Sequence, residues 1–347
     1  MAAKIITTGS FLGNLEVTNL ALYDRVSNFN LTRASETLRK KGQIVEGLTP
    51  PQVFDLWVRQ VCGVEKRYFF TPEPLPETVP QGIAEYMGYH AAKQALERAG
   101  ITANTLDYVI FCSFTSAQLI PNPACTVAHY LGTGGVAALH INTACSGFLD
   151  GLGLANTLIQ AGAYKRILVV ASECMSSHID FTDLTTAILF GDGASAAILE
   201  ASPDASGILS FTSSTHYNKD MLSMDYGHPL QMKGGAYVQR SAVNAMAATL
   251  EAALQKVNLN FSHLSYLIPH QANLRILRAL ADKIGIAPEK MLQSIVQTGN
   301  VSAASIGIGL DWAMQGQIES LQFRQGDLLG LTVVGGGYTS SGMIYRV

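Results

Sequence analysis

The stretch INTACSGFLDGL (141–152) holds the clearest nucleophile candidate in this chain, Cys145. Leu139 and Ile141 lead in as a strand would. Thr143, Ala144, Ser146 and Gly147 surround the thiol with small groups, and an apolar, helix-like run follows. A thiol at a helix start meets the positive end of the peptide dipoles, which favours thiolate over thiol. Small neighbours admit a carbonyl substrate and leave backbone N–H groups free to stabilise the oxyanion formed on attack. The plainer alternative is a buried cysteine serving as a small hydrophobe. That alternative is kept for Cys62, Cys112, Cys125 and Cys174, which lie in apolar runs or lack a catalytic setting.

The elements that must position Cys145 read as alternating strands and helices. Short apolar runs at 106–114, 138–144, 166–173, 195–201, 264–270, 328–335 and 342–347 predict buried strands. Segments 82–100, 146–162 and 241–257 carry helical spacing. Such alternation implies an α/β fold with a largely parallel sheet covered on both faces. Three units recur in order. LDYVIFCSFTSA (106–117) pairs with LSYLIPHQAN (264–273), HINTACSGFLDGL (140–152) with SIVQTGNVSAASIGIGL (294–310), and RILVVASECMS (166–176) with GDLLGLTVVGGGYTSS (326–341). The chain therefore divides into two similar halves, 1–205 and 206–347. The turn equivalent to that of Cys145 carries Asn300, the first unit of the second half ends at His270, and the third ends in the glycines 335–337. Related by a pseudo-twofold axis, these turns converge on one site.

Bulk properties exclude several classes. The 347 residues are 48% hydrophobic and 14% charged with a net charge of −3, so nothing global attracts nucleic acid or an anionic membrane. No run reaches the roughly 18 apolar residues of a membrane span, and the start lacks the apolar core of a signal peptide. Five scattered cysteines without a CxxC pair fit free thiols in a reducing cytoplasm, and neither disulfides nor a metal site.

Five motifs stand together in order: NTACSGF, ILFGDGASAAIL (188–199), IPHQANLRIL (268–277), GNVSAASIG (299–307) and GGGYTSSG (335–342). With them the chain resembles the β-ketoacyl-acyl-carrier-protein synthase III family of thiolase-fold condensing enzymes, from residue 5 to the end apart from a lengthened stretch around 20–62. The resemblance implies an α-β-α-β-α layered fold. It makes Cys145 the acylated nucleophile, with His270 and Asn300 completing a Cys-His-Asn site and no cofactor. A neutral histidine and an asparagine amide can both donate to a malonyl thioester carbonyl. They thereby stabilise the enolate left when carbon dioxide departs. A carboxylate in place of Asn300 would oppose that charge. Gly336 is implied as the second N–H of the acyl oxyanion hole, beside that of Cys145. Gly191, Asp192 and Gly193 read as a structural turn, since no GxxxxGK[ST] pattern is present.

The resemblance further implies acyl and malonyl thioester substrates, an acyl carrier protein partner meeting Arg275, and a homodimer in which Ile120 of AQLIPNPAC (117–125) reaches the partner's acyl pocket. Trp57 is implied at the thioester entrance. Two arginines that hold coenzyme A in the family are replaced by Val61 and Leu184, with Arg59 a possible substitute. That replacement predicts delivery of the primer on a carrier protein in preference to coenzyme A. The leading expectation is a decarboxylative condensation giving a β-ketoacyl product. Two others stay open: a specialised-metabolism relative that condenses, cyclises or transfers acyl groups, and a non-catalytic partner subunit.

Overall fold

The apolar runs fold into two sheets of the same design. A computed structural model describes residues 2–71, 73–219, 221–232 and 235–347. The first sheet has the order Ala3–Leu12, Gly193–Ala201, Arg166–Glu173, Tyr108–Cys112, Ala137–Ile141. The last three strands run parallel, in register Tyr108 to Ala137 and Tyr108 to Ile167, and the first two are antiparallel additions. The second sheet repeats this as Gly207–Thr215, Thr339–Arg346, Leu328–Val334, Tyr266–Pro269. Its directions match strand for strand, and a parallel bridge from Leu267 to Met291 stands where the fifth strand would lie.

Two helices run between the sheets. The nucleophile helix, Gly147–Gln160, packs against Ile110 and Val169 of the first sheet and, through Gly153, against Phe211 of the second. The asparagine helix, Ala304–Met314, lies beside it and is buried over most of its length. Ile83–Ala99 and Pro123–Leu131 cover the outer face of the first sheet, and Gly235–Gln255 and Leu274–Ile284 cover that of the second. The result is the α-β-α-β-α arrangement expected. The edge strands Ala3–Leu12 and Gly207–Thr215 were not anticipated as strands; they mix polar and apolar residues without a continuous run.

The lengthened N-terminal stretch forms helices Asn19–Tyr23, Leu31–Lys40 and Pro50–Cys62. Asn30 caps the second with its side chain, and Thr49 with Gln52 makes a capping box on the third. Ala34, Leu38, Val45 and Val53 form a small apolar cluster of their own, apart from the main core. Among the described residues no helix is long and apolar enough to cross a membrane.

The central helices cross where Gly307 has no side chain. A Cβ there would lie 2.1 Å from Ser195 Oγ, 2.5 Å from Ser195 Cβ and 2.9 Å from Phe148 Cε1. Gly307→Ala is expected to wedge the asparagine helix away from Ser195 of the strand Gly193–Ala201 and from Phe148 of the nucleophile helix. The expected cost is about 1–3 kcal/mol of stability, read as a lower urea midpoint at unchanged m-value, together with a loss of turnover.

Candidate active site

The first element of the site is a tight turn. The strand Ala137–Ile141 ends, Ala144 adopts φ of +50°, and a short 3-10 turn, Ala144–Ser146, hands the chain to the nucleophile helix. A non-glycine residue at positive φ is strained and persists only where its surroundings over-determine it. Here they do: Ser146 Oγ donates to Asp150 at 2.7 Å, Thr143 Oγ1 donates to the same oxygen at 2.7 Å, and Ser341 Oγ holds its other oxygen at 2.5 Å. Cys145 is thereby set at the start of the helix, only 6% exposed.

The second half supplies the facing groups. Asn300 follows Gly299, whose φ is +66°, and forms a bridge with Phe190. Its backbone N–H donates to Leu189 O at 2.8 Å, and its O accepts from Gly191 at 3.1 Å. The side-chain oxygen of Asn300 accepts from the Ser302 N–H at 2.8 Å and from Ser305 Oγ at 3.4 Å. With Oδ1 held by these donors, the amide NH2 is the end left to face the cavity. His270 follows the strand Tyr266–Pro269, anchored by its N–H to Thr332 O at 2.8 Å. Both side chains are almost wholly enclosed, at 2% exposure for His270 and 4% for Asn300.

Electrostatics follow from that enclosure. Burial lowers the His270 pKa to about 3, and its Nδ1 has no hydrogen-bond partner. The imidazole is therefore neutral at physiological pH and offers one N–H as a donor. Burial likewise pushes the Cys145 thiol up to about 11. A hydroxyl hydrogen bond from Ser302, at 3.3 Å from the sulfur, and the N–H groups of Gly336 and Cys145 itself act in the opposite direction. Glu173 nearby adds to the upward push. This corrects the expectation of a favoured thiolate: the helix-start donors are present, yet removal from water outweighs them. The two N–H groups aimed at the sulfur are those named for the oxyanion hole.

A cavity of about 620 Å³ contains Cys145, His270 and Asn300 in its wall and opens past Trp57, Val61 and Leu184. A second, of about 880 Å³, reaches Cys145 from the other side and includes Gly336, Phe114 and Ile179. Phe190 belongs to both walls. Arg275 is exposed in the first turn of Leu274–Ile284, whose Ile276 lines the first cavity. Ile120 is 90% exposed, with Leu119 beside it at 75%. Arg59, named as a substitute contact, is paired with acidic neighbours on its own surface. Its Nε is held by Asp55 at 3.0 Å and its Nη1 by Glu65 at 2.6 Å. Asp192 is buried and accepts from Phe70 N and Ser176 N, which makes the GDG segment a structural turn. Cys125, expected in a core, is exposed on Pro123–Leu131.

Two contributors escaped the sequence. Ser302 touches the nucleophile across the half-to-half boundary, although it lies in the quoted GNVSAASIG motif; its position two residues after Asn300 was the available signal. Arg33 lines the mouth from the lengthened stretch, where no motif marks it.

Comparisons with known proteins bear on the same regions. Residues 139–216 match the family described as 3-oxoacyl-[acyl-carrier-protein] synthase III, and residues 254–347 match its C-terminal part. The β-ketoacyl-[acyl-carrier-protein] synthase III of Aquifex aeolicus (strain VF5) is 33% identical over 347 residues, covering 100% of both chains. That of Granulibacter bethesdensis is 36% identical over 309 residues, 84% of this chain and 91% of the relative. The crystal structure of 3-oxoacyl-[acyl-carrier-protein] synthase III from Aquifex aeolicus VF5 superposes with a TM-score of 0.85 at 32% identity, covering 99% of this chain and 100% of that one. The corresponding structure from Pseudomonas aeruginosa PAO1 gives 0.82 at 28% identity, with 100% and 98% covered.

The neutral histidine has a measurable signature. Its folded pKa of about 3 lies below the unfolded value near 6.5. Between those pH values the unfolded chain binds the extra proton, so this contribution to stability is complete above about pH 6.5 and is lost as pH falls toward 3. The expected slope from this one group approaches about 1.4 kcal/mol per pH unit. His270→Gln should flatten the stability-versus-pH curve in that window by that amount, read from urea midpoints at successive pH values.

Proposed function

Because the chain belongs to the 3-oxoacyl-[acyl-carrier-protein] synthase III family, we propose that it is an acyltransferase that joins an acyl group held on Cys145 to malonyl-acyl-carrier protein with loss of carbon dioxide. The observation that carries the reading is one cavity wall in which Cys145, a neutral His270 and an Asn300 with its oxygen already occupied stand together.

In the first half-reaction the Cys145 sulfur attacks the carbonyl of an acyl thioester. The N–H groups of Cys145 and Gly336 receive the oxyanion. Collapse breaks the substrate C–S bond, and the thiol proton leaves with the departing sulfur. The thiolate is the attacking form, so the proton leaves Cys145 as its sulfur attacks and is taken up by the departing sulfur. In the second half-reaction the malonyl thioester oxygen lies between the His270 N–H and the Asn300 NH2. The bond to the carboxylate breaks, carbon dioxide departs, and the enolate carbon attacks the acyl carbonyl. Breaking the acyl–Cys145 bond then releases a β-ketoacyl product, and the sulfur, leaving as thiolate, takes up a proton from water. Phe190 stands between the malonyl side and the acyl side of the thiol.

The remaining assignments have specific support. The halves divide at 205/206, in keeping with the matching strand orders. Trp57 marks the entrance for the thioester arm, and exposed Arg275 offers a cation for an acidic carrier protein. Exposed Leu119 and Ile120, together with the free edge of Ala137–Ile141, fit a homodimer whose partner covers them. All five cysteines are unpaired, which fits a reducing cytoplasm.

Cys145→Ala should gain no acyl mass from acyl thioesters and should not condense, while keeping its fold; condensation near the parent rate would refute the nucleophile. His270→Ala and Asn300→Ala should each lose about 10²–10³ in rate of carbon dioxide release from malonyl-carrier, yet still acylate Cys145. Unimpaired release in both would overturn their role as enolate donors.

A further inference from the structure

Among the described residues, the wall of the cavity that leads to Cys145 contains one charged side chain. Asn28, Asn30 and Thr37 supply polar groups beside it, and Val61 and Leu184 face it as apolar surface. That charge is Arg33, in the first turn of Leu31–Lys40. Its backbone is fully occupied: the N–H donates to Asn30 Oδ1 at 2.9 Å, and the carbonyl accepts from Thr37 Oγ1 at 2.8 Å. Its guanidinium has no carboxylate partner among the described residues. Arg39 on the same helix, by contrast, pairs with Glu46, and Arg59 with Asp55 and Glu65. A guanidinium without a carboxylate partner, on a wall otherwise uncharged among the described residues, suits an anion. The fork of N–H donors suits phosphate oxygens, to which it can make charge-assisted bonds.

We propose that Arg33 binds the phosphate at the far end of the pantetheine arm while the thioester lies at Cys145. The inference rests on the thioester reading above and adds to it the residue that recognises the arm. The shared chemistry is a phosphate ester, which occurs both in coenzyme A and in the phosphopantetheine of a carrier protein. The lengthened N-terminal stretch would thus replace at the mouth the cationic surface that Val61 and Leu184 do not provide. The contact is exposed to solvent, so its strength is moderate and falls with salt.

The test measures kcat/KM for acylation of Cys145 by one acyl group on four donors: acyl-pantetheine, acyl-phosphopantetheine, acyl-coenzyme A and the acyl-carrier protein. Arg33→Ala should lose about tenfold on donors that carry phosphate, mainly through KM, and nothing on acyl-pantetheine. Unchanged acyl-pantetheine turnover also shows that the variant is folded. Arg33→Lys should recover part of the loss, and Arg39→Ala should match the parent throughout. A loss on acyl-phosphopantetheine and the carrier protein supports contact with the phosphate of the arm; a loss confined to acyl-coenzyme A would place the contact on the nucleotide phosphates and overturn the proposal. Equal rates for Arg33→Ala and the parent on every donor would overturn the proposal, as would an equal loss that includes acyl-pantetheine. If the parent protein left Cys145 unacylated by all four donors, the thioester reading itself would fail, and this inference with it.

Discussion

Everything in this molecule depends on pressing two helix starts against each other between two sheets. Cys145 and Ser302 meet at 3.3 Å across that seam. A third turn, from the second sheet, closes over them so tightly that a Cβ on Gly335 would lie 3.1 Å from the Cys145 N and 3.2 Å from the Ser146 N. No side chain fits between backbone and nucleophile there. The closeness leaves the N–H groups of Gly336 and Cys145 directed at the sulfur, and it requires small residues throughout: Gly147 against Cys112, Gly307 against Ser195 and Phe148. The strain stored at Ala144 is what a chain accepts to end a strand and aim a thiol in so little space.

The same closeness sets the electrostatics. Excluding water from Cys145 and His270 disfavours the charged form of each, in opposite senses: the thiol is pushed up and the imidazolium pushed down. Donors already in place then act on charge only as it develops, first on the acyl oxygen and later on the enolate oxygen. In a low-dielectric setting such preorganised donors count for more than they would in water.

What could be seen in the sequence was local. A strand, a turn and a small-residue helix start leave an ordered trace, and three such traces repeated in the same order brought Cys145, His270 and Asn300 into one neighbourhood. The strands Ala3–Leu12 and Gly207–Thr215 left no comparable trace, because their polar faces interrupt the apolar run. Non-local effects were not legible at all. The contact of Ser302 with the sulfur joins positions 157 residues apart. Desolvation of the thiol, which opposes the peptide dipoles at the helix start, comes from atoms of both halves and leaves no trace in the local sequence. Cys125 looks like a core cysteine until the helix Pro123–Leu131 is seen to turn it outward.

The helix Leu31–Lys40 is held by its own small apolar cluster of Ala34, Leu38, Val45 and Val53. Phe29 and Trp57 pack against both this satellite and the main core, which ties the helix to the rest of the fold. The wall that Arg33 joins and the seam where Cys145 meets Ser302 rest on different packing, one on a short peripheral helix and the other on the two helices between the sheets.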